Sequence, residues 1–251
     1  MMIDAKLCTG CDSCRLYCPV GAIVVTEMKT RKGKAIRVVD LNQCVECANC
    51  LRATVCPVGA IVQQPLEWPR SIRSAFSNPQ TEHKSKDMGR GTEEMKTNEI
   101  THRFVKGQVG FAIELGRPLV GASFRDVERV TQAMAGLGVE FEARNPLTSL
   151  IEDQSTGTLR KDVLDERVLS IIVEFRTDAE RVEEVLLAIK RVAESLDTVF
   201  SLGMISVLSP AGHDPVTGRV GKLGFKIRAN GKVNLGLGRA ISGDYRAGRS
   251  H

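Results

Sequence analysis

Eight cysteines, all before residue 57, constrain this chain of 251 residues more than any other feature. They form two sets of four, in which three cysteines follow one another at steps of three and the fourth is followed by proline. The first set is Cys8, Cys11, Cys14 and Cys18, and the second is Cys44, Cys47, Cys50 and Cys56. This spacing lets one tight loop present three sulfur atoms to a single inorganic cluster.

Two other uses of cysteine fit this spacing less well. Four disulfides are typical of short secreted domains, whereas this chain is long and its first residues lack the apolar region of a signal peptide. Structural zinc usually takes two cysteine pairs separated by a longer spacer. The spacing therefore favours iron–sulfur clusters, with disulfides and structural zinc as the alternatives.

The fourth cysteine of each set predicts how the two sets share their ligands. In the pattern C-x2-C-x2-C-x3-C-P, the fourth cysteine binds the other of two clusters. We therefore predict two 4Fe–4S clusters with crossed ligation, which would make folding depend on the metal. One cluster would be bound by Cys8, Cys11, Cys14 and Cys56, and the other by Cys44, Cys47, Cys50 and Cys18.

The same region contains an internal repeat. The string Cys-Pro-Val-Gly-Ala-Ile-Val occurs unchanged at 18–24 and at 56–62. Together with the cysteine spacing, this repeat makes residues 1–65 closely resemble the bacterial dicluster ferredoxins. The resemblance implies a pseudo-twofold pair of short hairpins and helices around two 4Fe–4S clusters. The chain departs from the simplest pattern because five residues, 51–55, separate Cys50 from Cys56.

A basic segment joins the two repeats. Residues 22–27 and 35–40 alternate like strands, so the segment between them is predicted to be the tip of a hairpin. Its basic side chains are Lys29, Arg31, Lys32 and Lys34. The tip is either a docking element for an acidic partner or an ordinary solvated hairpin end.

Changes in composition divide the chain into four predicted segments. These are a dicluster ferredoxin domain at 1–69, a polar linker at 70–103, a second domain at 104–239 and a tail at 240–251. The linker is predicted because its apolar residues are scattered without periodicity.

The second domain shows the element order β-α-β-β-α-β followed by a hairpin, which is typical of the split βαβ or ferredoxin-like plait. Capping boxes at 123–126 and 177–180 are predicted to open the two helices. The predicted strands cover 109–115, 139–143, 168–175 and 199–208, and the extra C-terminal hairpin covers 223–237 with its turn at Asn230-Gly231. The expected fold class of the whole chain is therefore α+β.

The second domain carries few signs of chemistry. Two Leu-Gly-Arg turns place Arg117 and Arg239 at strand ends, where they would either hold an anion or simply end the strands. The pair His213-Asp214 is interpreted as part of a turn. The connection 144–167 is long for a plait loop, so it is either a docking loop or contains short helices.

These features lead to a prediction of electron transport. We expect a cytoplasmic iron–sulfur protein that works as a subunit of an oxidoreductase rather than as a catalyst by itself. Its partner would be a flavoenzyme or another oxidoreductase, and the plait would dock it or form a homo-oligomer. Residues 111–153 also resemble proteins associated with 6-hydroxynicotinate reductase-type systems, which implies a ring-reducing partner. The alternatives are an enzyme with its own substrate and a ligand-binding redox sensor.

The chain carries a small net positive charge. There are 35 Lys and Arg against 30 Asp and Glu, a net charge of +5 with neutral histidines. Each oxidised cube with four thiolates carries about −2, which would bring the loaded chain to about +1. Because no basic stripe with interleaved aromatic residues occurs, nucleic-acid binding is not predicted. No apolar run approaches the roughly 18 residues of a membrane span.

Overall fold

The computed structural model describes residues 1–81, 89–92, 98, 102–117, 120–209 and 211–227. Strands and helices are mixed, and the buried apolar side chains form two clusters, one in each half of the chain. The strands are β1 (Met2–Ile3), β2 (Ile23–Lys29), β3 (Ala35–Val39), β4 (Ile61–Val62), β5 (Gln108–Leu115), β6 (Ala122–Ser123), β7 (Glu140–Phe141), β8 (Ile151–Asp153), β9 (Thr158–Leu159), β10 (Arg167–Val168), β11 (Ile171–Asp178) and β12 (Phe200–Ser206). The helices whose bounds are described are α1 (Asn49–Arg52), α2 (Ser71–Ser77), α3 (Phe124–Ala135), α4 (Val182–Ala193) and α5 (Thr217–Lys222).

The N-terminal half contains two antiparallel strand pairs. Strand β1 pairs with β4, and β2 pairs with β3 around the basic tip, so the predicted hairpin is confirmed. A 3₁₀ turn at Ser13–Tyr17 and helix α1 lie between the strands and carry cysteines of both sets. The small core includes Ile3, Ile23 and Ile61 together with the thiols of Cys44 and Cys50.

The repeated string produces the same turn twice. The amide of Ala22 donates to Cys18 Sγ at 3.0 Å, and the amide of Ala60 donates to Cys56 Sγ at 3.2 Å. The glycine before each alanine has a left-handed backbone, with φ of 67° and 63°. Only glycine adopts this conformation without cost, which gives a physical reason for the glycine in both copies.

The two additional residues before Cys56 lie in a segment that starts as α1 and ends in a left-handed turn. The first set passes from Cys14 to Cys18 through the 3₁₀ turn, whereas the second passes through α1 and then Thr54, which has a left-handed φ of 51°. The guanidinium of Arg52 donates to the carbonyl of Cys47 at 2.6 Å. The longer spacing is therefore absorbed by a local helix.

The start of the predicted polar linker is a buried helix. In α2, Ile72 and Phe76 are buried, and the Phe76 ring lies 6.0 Å from Phe124 in an edge-on arrangement. Residues 72, 75 and 76 follow the i, i+3, i+4 spacing of an amphipathic helix. Helix α2 therefore belongs to the core of the C-terminal half, although the domain boundaries themselves stay a prediction.

The C-terminal half is built on a four-stranded antiparallel sheet with the order β12-β5-β11-β7. On one face, alternate residues of β5 are buried under α3 and α4. The rings of Phe111 and Phe175, opposite each other in the register, stack at 5.1 Å. The four strands lie where the sequence predicts them, within a few residues at each end.

The two predicted capping boxes have different outcomes. The Ser123 hydroxyl accepts the amide hydrogen of Asp126 at 3.1 Å, so the first box is confirmed. The second is wrong, because Thr177 is still paired with Val109 in the sheet. A 3₁₀ turn at Ala179–Arg181 precedes α4 instead, and no side chain caps that helix.

The long connection at 144–167 contains structure of its own. Strands β8 and β9 form a small hairpin, flanked by 3₁₀ turns at Thr148–Leu150 and Lys161–Val163. Leu147, Leu159 and Val163 are buried in the main core. The connection therefore packs onto the sheet domain instead of forming a free loop.

The C-terminal end is described only in part. Helix α5 precedes residues 223–227, which form no strand, and the remainder of the predicted hairpin, with Asn230-Gly231 and the tail, lies outside the described residues. Among the helices that the structure describes, none is long and apolar enough to cross a membrane.

Candidate metal centre

The structure gathers the eight cysteines into two groups of four. In the first group, Cys8, Cys11, Cys14 and Cys56 line one small cavity. Burial raises the pKa of the Cys14 thiol, and the neighbouring thiolates of Cys11, Cys8 and Cys56 raise it further. A cysteine of the second sequence set thus stands with three cysteines of the first.

The second group mirrors the first. Burial raises the pKa of Cys50 to about 12, and the neighbouring thiolates of Cys47, Cys18 and Cys44 contribute to the rise. Here a cysteine of the first sequence set stands with three of the second. Thiolates that are buried close together repel one another. They therefore need a positively charged metal centre to remain ionised.

The two groups differ in burial. Cys11 is exposed and Cys8, Cys14 and Cys56 are partly exposed, whereas Cys44, Cys47 and Cys50 have at most 9% of their surface exposed. We call the first set of four the exposed group and the second, with the partly exposed Cys18, the buried group. Hydrogen bonds from the side chain and backbone of Ser13 hold the pKa of Cys11 below its usual value.

The loop of the exposed group is supported by the hairpin. Arg37 of β3 is buried, lines the cavity and donates from Nε to Asp12 Oδ1 at 2.5 Å. That hydrogen bond holds the pKa of Asp12 below its usual range despite partial desolvation. Gly10 passes so close to β3 that a Cβ on it would lie 2.6 Å from the carbonyl oxygen of Ala35.

The loop of the buried group is held by a carboxylate. Glu46, between Cys44 and Cys47, has no exposed surface and accepts from Arg70 Nη2 at 2.6 Å and from the amino nitrogen of Met1 at 2.5 Å. Burial raises the pKa of Glu46, but the hydrogen bonds from Met1 and Arg70 outweigh it and lower the pKa overall. The backbone of Glu46 is left-handed, with φ of 52°.

Arg73 of α2 ties the same loop to the C-terminal half. Its Nη1 donates to the carbonyls of Cys44 at 2.7 Å and Leu41 at 3.0 Å, while its Nε bonds the carboxylate of Glu166. The Arg73 residue is 5% exposed. One buried guanidinium therefore joins a cysteine loop to the sheet domain.

Sequence reasoning did not single out these supporting residues. Glu46 stands beside a predicted ligand, and the apolar spacing of residues 72–76 marks a helix, so both signals are present in the sequence. Arg73 gives no such signal, because its partners are backbone carbonyls 29 and 32 residues away and a carboxylate 93 residues away.

The donor atoms suit an iron–sulfur cluster. All eight thiols are free, so no disulfide occupies them. The amides of Ala22 and Ala60 donate to the sulfur atoms of Cys18 and Cys56, the type of bond that tunes cluster potential. Among the described residues, no three Cys, His, Asp or Glu side chains are grouped closely enough to hold a single metal ion.

Comparisons with known proteins agree with this geometry. Residues 7–67 match the family described as the 4Fe-4S dicluster domain. A "Ferredoxin-like protein in vnf region" of Azotobacter chroococcum mcd 1 is 39% identical over 72 residues, which cover 27% of this chain and 95% of that protein. The chain belongs to the family of ferredoxin-like dicluster proteins. No solved structure matches it.

Membership of this family implies two 4Fe–4S clusters, and eight cysteines are present to bind them. The ferredoxin-like domain occupies roughly the first quarter of the chain, as the sequence predicts. The match ends at residue 67, so it does not include the sheet domain that follows.

The other candidate residues follow the ferredoxin-like domain in the sequence. Arg117 donates to Glu114 at 3.0 Å and lines, with Arg90 and Ser170, an open cavity beside the end of α2. Its predicted role in anion binding stays a prediction, and Arg239 lies outside the described residues. Asp214 accepts hydrogen bonds from Ser206 and from the amide of Val216, as expected for a turn.

Proposed function

We propose that this chain transfers single electrons through two 4Fe–4S clusters to or from a partner oxidoreductase. Each bound cluster supplies one reversible one-electron step. The observation that carries the proposal is the arrangement of eight free thiols in two groups of four within a ferredoxin-like domain. The chain's own contribution is to hold these thiols, to bury one group and to donate amide hydrogen bonds to sulfur.

The proposed ligands are crossed between the two sequence sets. Cys8, Cys11, Cys14 and Cys56 would bind one cluster, and Cys44, Cys47, Cys50 and Cys18 the other. The cavity lined by the first four cysteines supports this assignment, as do the mutual effects of the second four on their pKa values. The matching turns at 18–22 and 56–60 support an equivalent role for Cys18 and Cys56.

The C-terminal half is proposed to be a split βαβ plait that docks the partner or forms a homo-oligomer. The strand order β12-β5-β11-β7 and the two helices on one face support this assignment. We propose a subunit or carrier, not an independent catalyst. Four points stay predictions from the sequence: the flavoenzyme partner, the 6-hydroxynicotinate reductase-type system, the sensor alternative and the cytoplasmic location.

Anaerobic purification followed by metal and sulfide analysis tests the proposed function. We expect about eight iron and eight sulfide per chain, and an electron paramagnetic resonance spectrum of two interacting clusters after reduction with dithionite. Zinc in place of iron, or iron without acid-labile sulfide, would contradict the proposal. Reoxidation of the reduced protein by a one-electron acceptor completes the test, since a purely structural cluster would not be reoxidised at a useful rate.

A further inference from the structure

The basic tip of the β2–β3 hairpin is an ordered turn. The amide of Thr30 donates to the Lys34 carbonyl at 2.8 Å, and the Thr30 hydroxyl accepts the Lys34 amide hydrogen at 3.1 Å. The four side chains Lys29, Arg31, Lys32 and Lys34 are exposed. The backbone therefore holds four exposed positive charges close together, none of them in an ion pair with a described residue.

This tip lies beside the exposed cysteine group. A Cβ built on Gly10, between Cys8 and Cys11, would be 2.9 Å from Lys34 Cβ, so the two backbones are in contact. Arg37, on the same strand as Ala35, lines the cysteine cavity. The buried group, in contrast, is held against the C-terminal half by Arg73 of α2. The group that faces solvent is thus the one that lies beside the exposed positive charges of the tip.

The cysteine loop adds apolar side chains to this surface. Leu7, Leu16 and Tyr17 flank the loop and are 49%, 89% and 42% exposed. The 3₁₀ turn that carries Leu16 and Tyr17 packs against β2. Exposed apolar and aromatic side chains surrounded by charges are typical of protein–protein interfaces.

We propose that the basic tip (Lys29, Arg31, Lys32 and Lys34), with Leu7, Leu16 and Tyr17, docks an acidic face of a redox partner protein at the exposed cysteine group. This inference rests on the proposed electron-transfer function. The tip's four positive charges, even with the exposed Glu27 on the same hairpin subtracted, exceed the roughly −2 of an oxidised cube with its four thiolates. The field at the tip therefore attracts acidic partners and speeds their encounter. Nucleic acids and anionic membranes would also be attracted by the positive charge, but neither accepts the electrons that the proposed function transfers.

Two forms of one acceptor provide the test: native cytochrome c, which is basic, and succinylated cytochrome c, whose lysines have become carboxylates. Each ferric haem takes one electron from the dithionite-reduced protein. We expect a larger rate constant for the succinylated form at low salt, falling as salt is added. The quadruple variant K29Q/R31Q/K32Q/K34Q should reduce succinylated cytochrome c about tenfold more slowly at low salt. Binding of the oxidised protein to immobilised succinylated cytochrome c should weaken in parallel, which separates docking from electron transfer.

A matched control removes the same charge elsewhere. Lys106, Arg191, Lys222 and Lys226 are exposed side chains of the C-terminal half. Their combined replacement by Gln should change the rate at physiological salt by less than about twofold, because salt screens exposed charges that lie outside the proposed docking surface. The variant L16S should weaken binding at high salt, where charge steering is screened and apolar contact persists.

Several outcomes would overturn the docking surface. These are equal loss in the two quadruple variants, preference for native cytochrome c, and tighter binding to phosphatidylglycerol vesicles or duplex DNA than to succinylated cytochrome c. In each case reoxidation by both cytochromes would leave the proposed function intact. Absence of reoxidation by either acceptor would instead contradict the proposed function.

Discussion

The exposed and buried cysteine groups share a backbone but not an environment. Gly10 and Glu46 stand at the same place in the two repeats, two residues after the first cysteine, and both are left-handed with φ of 66° and 52°. Asp12 and Ala48 form a second equivalent pair, with φ of 72° and 55°. Repeated cysteine spacing therefore determines the path of the loop, whereas what packs against the loop determines its exposure.

The packing partners explain the difference. The loop of the exposed group rests on its own hairpin, through Arg37 and the close approach of Gly10 to β3. The loop of the buried group is contacted by Arg70 and Arg73, which come from the region joining the two halves. Residues that follow the two repeats in the chain thus contribute to the difference in burial between two loops of the same cysteine spacing.

Replacing Cys18 or Cys56, each proposed to bind the cluster of the other sequence set, should have the largest effect. With crossed ligation, C18S should disrupt the buried cluster and C56S the exposed one, each leaving about four iron per chain. The surviving cluster of C18S should then lose iron to an added chelator faster than the surviving cluster of C56S, because it is the more exposed. Iron analysis over time in the presence of the chelator measures both rates. If each fourth cysteine served its own sequence set, the order of the two rates would be reversed.

Replacing Arg73 should have the next largest effect, a loss of stability that is greatest at the buried cluster. In R73M the carbonyl of Cys44 and the carboxylate of Glu166 lose a buried partner, which typically costs about 3–5 kcal/mol. Urea unfolding of the anaerobic protein, followed by cluster absorbance, measures the change. We expect the buried cluster to be lost at lower urea than the exposed cluster, because its loop loses its support.

Arg15 offers a matched control for Arg73. It pairs with Asp12 at 3.1 Å in the exposed group, with side chains 48% and 39% exposed. An exposed pair of this kind contributes under about 1 kcal/mol, so R15M should be nearly neutral. The double variant R73M/E166Q should be less destabilised than R73M alone, since no unpaired carboxylate is left. Equal effects of R15M and R73M would show that α2 does not support the buried group.

A glycine pair sharpens the comparison at a smaller scale. G10A introduces a Cβ 2.6 Å from a backbone oxygen at a left-handed residue, so we expect a loss of about 2–4 kcal/mol. Gly21 has a similar φ of 67° but open space around it, and G21A should cost only about 1–2 kcal/mol. Urea unfolding of both variants provides the values. A G10A variant no less stable than G21A would mean that the hairpin can move away from the cysteine loop.

Much of the fold could be predicted because its signals are local. The alternation of β2 and β3, the buried strand β11 and the Ser123 cap are each visible in a short stretch of sequence. The cysteine spacing likewise predicts two groups of four in the ferredoxin-like domain. Assignment of individual cysteines to clusters stays a prediction, since the comparisons show the family and not the ligands.

Other features depend on distant parts of the chain and were not predicted. The buried cysteine group is contacted by Arg73, whose carbonyl partners lie about 30 residues away in the sequence. The second capping box failed because strand pairing with Val109 extends β11 through Thr177. In both cases a tertiary contact determines the local structure. Secondary-structure propensity and the spacing of residues in the sequence do not predict such contacts.

The smallest expected effect concerns the exposed contact between the two halves. The only tryptophan, Trp68, donates from Nε1 to Asp162 Oδ2 at 2.7 Å, and Arg160 bonds the same oxygen at 2.7 Å. The hydrogen bonds from Arg160 and Trp68 hold the pKa of Asp162 below its usual value. Because the folded pKa is the lower one, the stabilisation is complete above the unfolded pKa of about 4 and is lost as pH falls through the folded value. The stability difference between wild type and D162N should therefore be small and constant from pH 5 to 8. Urea unfolding followed by Trp68 fluorescence between pH 5 and 8 measures this difference. A difference that changes with pH in this range would show that Asp162 titrates between pH 5 and 8 and is not held by this contact.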